Sequence, residues 1–190
     1  MRFESLSIAG AWLIGPEAAV DRRGFFARTF CTREFAAHGL AERIVQTSIS
    51  LSLRRGTVRG LHFQWPPSCE AKTVRCARGA IFDVLLDLRP ESPSYLRHEA
   101  VELNEDNRRA VHIPPGIAHG FQTLTDASEV LYMMSDFFAP TLANGVRWND
   151  PAFGIEWPLA EITISDRDAA YPDFIRADFE ARLARRRGQP

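Results

Sequence analysis

The sequence predicts an all-β fold, a double-sheet jelly roll, on three observations. Short apolar runs recur along the middle of the chain with turn residues between them. One of them, FDVLLDLR, alternates with the period of two that a pleated strand requires. Helical periodicity is confined to short stretches near the two ends. For many short strands and few helices, wrapping into a jelly roll leaves few strand edges open.

Taken in order, the apolar run 6–14 reads as a first strand, since Glu4 before it and Pro16-Glu17 after it do not suit the core of a signal peptide. Residues 32–38 carry a helical pattern that Gly39 closes. Strand candidates follow at 44–53, 58–64, 71–77, 80–88, 99–103, 110–113, 118–124 and 129–136. In the fourth of these, Phe82, Val84, Leu86 and Leu88 form a wholly apolar face opposite Asp83, Leu85, Asp87 and Arg89. Gly79, Pro90, Pro93, NEDN at 104–107 and PPG at 114–116 fall between the runs, where turns belong. A turn at 165–170 and a helix at 178–187 follow, and the basic ending ARLARRRGQP reads as a solvated tail. With no repeat or linker, the 190 residues form one domain: N-terminal strands and a short helix (1–43), a jelly-roll core (44–138) and a C-terminal segment with short helices (139–190).

Composition narrows the function classes. The chain is 45% hydrophobic and 25% charged with mean hydropathy −0.19, which fits a folded domain and neither disorder nor a membrane span. A net charge of −1 and a pI near 6.5 give the whole molecule no pull towards nucleic acid or anionic membrane. An anionic ligand must therefore meet a local basic cluster. Three cysteines without CxxC spacing fit idle thiols in a reducing, cytoplasmic setting.

Two of the five histidines stand in glycine-flanked polar settings, His62 in RGLH and His119 in PPGIAHG. Counting by two from His62 puts Gly60 and Gln64 on its face, a polar row inside an apolar barrel. Burying such a row is costly unless its members are paired or used. PPGIAH resembles the second metal motif of cupin barrels, with Gly60 and His62 where the first would lie. A metal cupin offers a further histidine where this chain has Gln64, and two histidines alone make a poor transition-metal site. The metal-free, cofactor-free reading is therefore preferred.

The segments DRRGFFARTF, QTSISLSLRRGTVRGLHFQWPP, AKTVRCARGAIFDVLLDLRPESPS, NRRAVHIPPGIAHGFQTL, VLYMMSDFFAP, GVRWNDPAFGIEWP and ISDRDAAYP are similar, in this order, to the dTDP-4-dehydrorhamnose 3,5-epimerase family. The likeness covers roughly residues 8 to 172. It implies a metal-free cupin-type double-stranded β-helix, a homodimer with exchanged N-terminal strands, and a nucleotide-diphosphate 4-keto-6-deoxy sugar as substrate. The keto group acidifies the hydrogens on C3 and C5, so the enzyme removes a proton from one face, holds an enolate and returns a proton to the other.

By resemblance, His62 is the base, Asp168 its orienting carboxylate and Asp83 a second buried acid that could replace it as orienter. Lys72 lies beside the enolate oxygen, and Tyr132 is the general acid, its phenol pKa lowered by a nearby cation. Arg23, Arg59 and His119 receive the diphosphate, while Phe26 and Gln46 hold the nucleotide, and the exchange of N-terminal strands would put Arg23 and Phe26 in the partner's pocket. Taken singly, Phe26 would read as core and Lys72 as surface. The chain departs from the family at Arg28 and Ser48, where the pattern has glutamate and asparagine, and at Phe138, Met133 and Ala143, where tyrosine, lysine and glutamate are common. This drift on the nucleotide side fits another base, another sugar or a single epimerised carbon. A metal-dependent cupin oxygenase or isomerase and a non-catalytic sugar-nucleotide binding module are the competing classes.

Overall fold

A computed structural model describes residues 1–41 and 43–188. In chain order the strands are β1 (Arg2–Ser5), β2 (Trp12–Gly15), β3 (Ala18–Asp21), β4 (Gly24–Ala27), β5 (Gln46–Ser52), β6 (Val58–Gln64), β7 (Lys72–Arg78), β8 (Ala80–Asp87), β9 (His98–Asn104), β10 (Ala110–Ile113), β11 (Ile117–Thr123), β12 (Ser128–Met134) and β13 (Ala143–Gly145). Helix α1 (Thr32–Ala37) precedes β5, and α2 (Asp166–Ala169) and α3 (Arg176–Arg187) follow β13. The strands form a six-stranded sheet in the order β1-β2-β10-β7-β12-β5, a five-stranded sheet in the order β13-β6-β11-β8-β9, and a separate β3-β4 hairpin. This is the jelly-roll layout expected of a cupin-like sandwich.

The core lies where the two sheets face each other. Val74 and Cys76 from β7, Val111 from β10 and Val130 from β12 meet Ile81 and Leu85 from β8 and Phe121 from β11. A second apolar layer backs the five-stranded sheet, where Leu61, Phe63, Trp65, Val84 and Leu86 pack against Phe153 and the α3 residues Phe179 and Leu183. The face bearing Asp83, Leu85 and Asp87 is therefore not a solvent face. It points between the sheets, and both faces of β8 are buried.

Two readings of the ends need correction. The run 6–14 is not one strand: Leu6 N–H donates to Ala11 O (3.0 Å) and Ala11 N–H to Ile8 O (2.9 Å), so the chain folds back between β1 and β2 while Ile8 enters the core. The basic ending to residue 187 is not a loose tail, because Phe179 and Leu183 dock α3 onto the sheet. Gln189 and Pro190 lie outside the described residues. The hairpin β3-β4 and the three-residue β13 lack the alternation that marks the other strands, and the hairpin is exposed along nearly its whole length.

One glycine decides how the site strand is seated. Gly60 has φ +115°, and a Cβ there would fall 2.6 Å from the Gly120 Cα and His119 O. Without it, β6 closes against β11 and sets His62 directly across from His119.

Candidate active site

Alternation along the strands aims a polar set into the space between the sheets. From the five-stranded sheet come His62 and Gln64 of β6, Asp83 of β8 and His119 of β11. From the six-stranded sheet come Gln46, Ser48, Ser50 and Ser52 of β5, Lys72 of β7 and Tyr132 of β12.

His62 Nε2 lies 2.7 Å from Asp168 Oδ1. A carboxylate only accepts, so Nε2 is the donor in this contact, and in a neutral ring the lone pair is on Nδ1. The imidazole side chain is 39% exposed and the Asp168 side chain 7%, which leaves the ring open to a ligand and its orienter closed to water. The second oxygen of Asp168 accepts from the Gly60 amide at 3.0 Å. Burial alone would raise the Asp168 pKa, but the His62 and Gly60 hydrogen bonds outweigh it and hold the carboxyl below its ordinary range.

Asp168 reaches β6 because its segment is pinned there. Val58 N–H donates to Thr163 O (2.8 Å), Gly56 N and O exchange bonds with 123 and 163, and Ser165 Oγ caps α2 by accepting from the Asp168 amide. A Cβ at Gly56 would lie 2.2 Å from Glu161 O, so that contact also demands glycine.

Tyr132 projects from the opposite sheet, with its hydroxyl 3.3 Å from Ser50 Oγ. Burial pushes its pKa up to about 12, helped by the Asp83 charge and opposed by the Ser50 hydrogen bond and the Arg59 charge. The expectation that a cation lowers this pKa is thus reversed in its outcome: Arg59 acts in that direction, but burial dominates. The phenol stays protonated at neutral pH and has a proton to give.

Lys72 is not a surface charge. Its side chain is 18% exposed, with Nζ 3.4 Å from the Glu70 carboxylate. His119 is buried and its Nε2 lies 2.8 Å from Asp83 Oδ2. Asp83 is therefore the partner of His119 and not a substitute orienter for His62, and its Oδ1 is buried with no partner among the described residues. Arg59 spans the gap between sheets, donating to Ser52 Oγ (3.1 Å) and Leu51 O (3.0 Å). Gln46 Oε1 accepts from the Phe138 amide at 2.6 Å, which fixes the exposed Phe138 at the rim.

Among the described residues, no three His, Cys, Asp or Glu side chains are spaced to hold a metal ion. The family model of dTDP-4-dehydrorhamnose 3,5-epimerase matches residues 5–175. The chain belongs to that family. It is 43% identical over 170 residues to the dTDP-4-dehydrorhamnose 3,5-epimerase of Methanothermobacter thermautotrophicus, covering 88% of this chain and 91% of the relative. Among solved structures it superposes with TM-score 0.88 and 39% identity on a 4-keto-6-deoxy sugar epimerase from the novobiocin gene cluster of Streptomyces spheroides, over 96% of this chain and 92% of that one. A 3'-monoepimerase from Streptomyces bikiniensis, solved with dTDP, gives TM-score 0.85 and 35% identity over 95% of this chain and 89% of that one. That structure is of a double mutant whose altered histidine and tyrosine are separated in sequence as His62 and Tyr132 are here.

Within this family member the resemblance residues divide into two groups. His62, Asp168, Lys72, Tyr132, Gln46, Asp83 and His119 gather between the sheets, with Arg59 and Phe138 at the edges. Arg23 and Phe26 do not join them in the same chain: both lie on the outlying hairpin, where Arg23 pairs with Asp21 (2.7 Å) and Phe26 is 79% exposed, so Phe26 is not core. Arg28 likewise pairs with Glu34 at 2.8 Å. The sequence reading missed Glu70, Ser50, Ser52 and Ser165. Glu70 stands two residues before the chain's only lysine but just outside β7, and its burial is not legible from that spacing.

Proposed function

We propose that this chain is an isomerase that inverts C3, C5 or both in a dTDP-linked 4-keto-6-deoxy sugar, as in the conversion of dTDP-4-dehydro-6-deoxyglucose to dTDP-4-dehydrorhamnose. The observation that carries the reading is the opposition of the His62–Asp168 pair on one sheet to a protonated Tyr132 on the other. His62 Nδ1 takes the proton from the carbon beside the ketone, and Asp168 stabilises the imidazolium that results. The electron pair of the broken C–H bond moves into the carbonyl, and the enolate oxygen that forms is met by Lys72. The Tyr132 hydroxyl returns a proton to the opposite face of the same carbon, which inverts it. His62, Asp168, Lys72 and Tyr132 are thus the catalytic set. Arg59 and His119 with Arg23 serve the diphosphate, and Gln46, Phe138 and Phe26 the nucleotide.

The exposed apolar surface supports a homodimer. Ile49, Leu51 and Leu131 are exposed on the outward side of β5 and β12, and Val20, Phe25 and Phe26 on the hairpin. A two-stranded hairpin is marginal alone, and large apolar side chains left exposed on both the hairpin and the β5-β12 face are what a partner would cover. Each hairpin then lies over the neighbour's site and delivers Arg23 and Phe26 there. A cytoplasmic location fits the three free cysteines.

The test is incubation with dTDP-4-keto-6-deoxyglucose in deuterated water, reading C3 and C5 separately. Deuterium and inversion at one or both carbons is the expected result. No exchange at either carbon would remove the dTDP-sugar reading, and binding of dTDP without exchange would leave the chain a sugar-nucleotide binding module.

A further inference from the structure

The sequence holds 22 arginines and a single lysine, at position 72, between the sheets. An ammonium is a compact point charge on a flexible stem, unlike the planar fork of arginine, so its position depends on what holds it. The holder here is an acid that the reaction as described above does not use. The Glu70 side chain is 8% exposed, with Oε2 3.4 Å from Lys72 Nζ. The same oxygen accepts from Gln64 Nε2 at 3.0 Å. Gln64 in turn accepts from the Ala139 amide at 2.9 Å, one residue beyond Phe138. A continuous chain of contacts therefore runs from the ammonium through Glu70 and Gln64, next along the His62 face of β6, to the rim segment that carries Phe138.

We propose that Glu70 is the positioning residue for Lys72, an inference that rests on the epimerase reading for its kinetic part. A buried carboxylate fixes the ammonium where the ketone oxygen arrives, and Gln64 ties that carboxylate to the strand bearing His62. Cation and base then keep a set distance from each other. Without the tether the lysine stem is free to swing towards the solvent-exposed rim. Placement, rather than charge count, is what the carboxylate contributes.

The single lysine gives a direct readout. Reductive methylation of the full native protein, followed by peptide mass spectrometry, reports the reactivity of the Lys72 amine separately from that of the N-terminus. In E70Q, which is nearly isosteric and retains an acceptor for Gln64, the Lys72 labelling rate rises by about fivefold, since an unpaired side chain samples solvent more freely. With the keto sugar, kcat of E70Q falls by about tenfold while KM stays within about twofold, the signature of a group that acts on the transition state and not on ground-state binding. E70D, which keeps the charge on a shorter stem, recovers part of that kcat, and E70A does not.

Unchanged Lys72 labelling in both E70Q and E70A overturns the tether. A KM increase at constant kcat overturns it in favour of a substrate-binding role. If the wild type epimerises no keto sugar yet E70Q still exposes Lys72, the tether stands and the epimerase reading fails.

Discussion

The space between the sheets and the β3-β4 hairpin treat charge in opposite ways. Inside, three pairs are matched within the chain: His62 with Asp168, His119 with Asp83, and Lys72 with Glu70. On the hairpin, Arg23 is met only by Asp21 of its own turn, at the surface, and the neighbouring aromatics face solvent. Buried charges must be paired locally because desolvation penalises any that are not. The difference teaches that one chain pairs these interior groups by itself, whereas the hairpin residues proposed to face the nucleotide are left exposed.

The largest effect that would sharpen this contrast comes from removing the base. H62A is expected to lower kcat by roughly 10³-fold, within the range for a positioned general base, with dTDP affinity nearly unchanged. The fold should survive, since His62 is part-exposed and its strand is held by backbone pairing on both sides. Isothermal titration with dTDP and a steady-state assay check the two halves. Substantial turnover by H62A would remove His62 from its role.

Y132F comes next, and it breaks the comparison at the other sheet. The side chain loses its hydroxyl but keeps its ring, so the Val130 and Val74 packing around it is undisturbed. Inversion is expected to fall by about 10²-fold, while deuterium exchange on the His62 side persists more strongly, because abstraction precedes the missing step. Equal loss of exchange and inversion would show that Tyr132 does more than return the proton. Because burial holds its pKa up at about 12, the wild-type rate should show no alkaline loss attributable to this group at neutral or mildly alkaline pH.

A third variant addresses the hairpin itself. F26D places a charge in the apolar surface proposed to meet a second copy. It should shift the protein towards monomer in light scattering and raise KM by about tenfold through loss of the neighbour's contribution, with thermal stability of the barrel little changed. A dimer that persists with normal KM would return Phe26 to an idle surface residue.

How much of this was legible in the sequence follows the same division. The central strands were readable as short apolar runs bounded by turn residues, and β8 keeps a polar–apolar period of two although both its faces are buried. The polar interruptions in those runs, at Gly60, His62 and Gln64, then pointed to the site. The hairpin carries no such pattern, since both its strands are exposed and, among the described residues, only the Arg108 guanidinium over the Phe25 ring touches it as a cation–π contact. The alternation of β8 was read correctly as a pattern but its polar face was left without a location, because period alone does not say which side is the interior. Asp168 could be named only through resemblance: it comes from a short helix 106 residues beyond His62, and no local periodicity joins the two. Glu70 went unnoticed because a Glu two residues before a Lys ordinarily reads as a solvated pair, and only burial distinguishes it.

The smallest expected effect tests whether the interior pairing contributes to stability as well as to chemistry. Asp168 has its carboxyl pKa depressed in the folded protein, since the His62 and Gly60 hydrogen bonds overcome the opposing effect of burial. A depressed carboxyl contributes stability above the unfolded value, about 3.9, and loses it as pH falls through the folded one. D168N keeps the size of the side chain but has no proton to titrate. Compared by urea unfolding, it should be less stable than the wild type at pH 7 and pH 5, with the deficit shrinking below about pH 4 as the wild-type carboxyl protonates. A deficit that stays constant down to pH 3 would mean that the contribution is packing and not charge. In that case the pairing seen throughout the interior would serve catalysis alone, and the contrast with the hairpin would be one of function without a counterpart in folding.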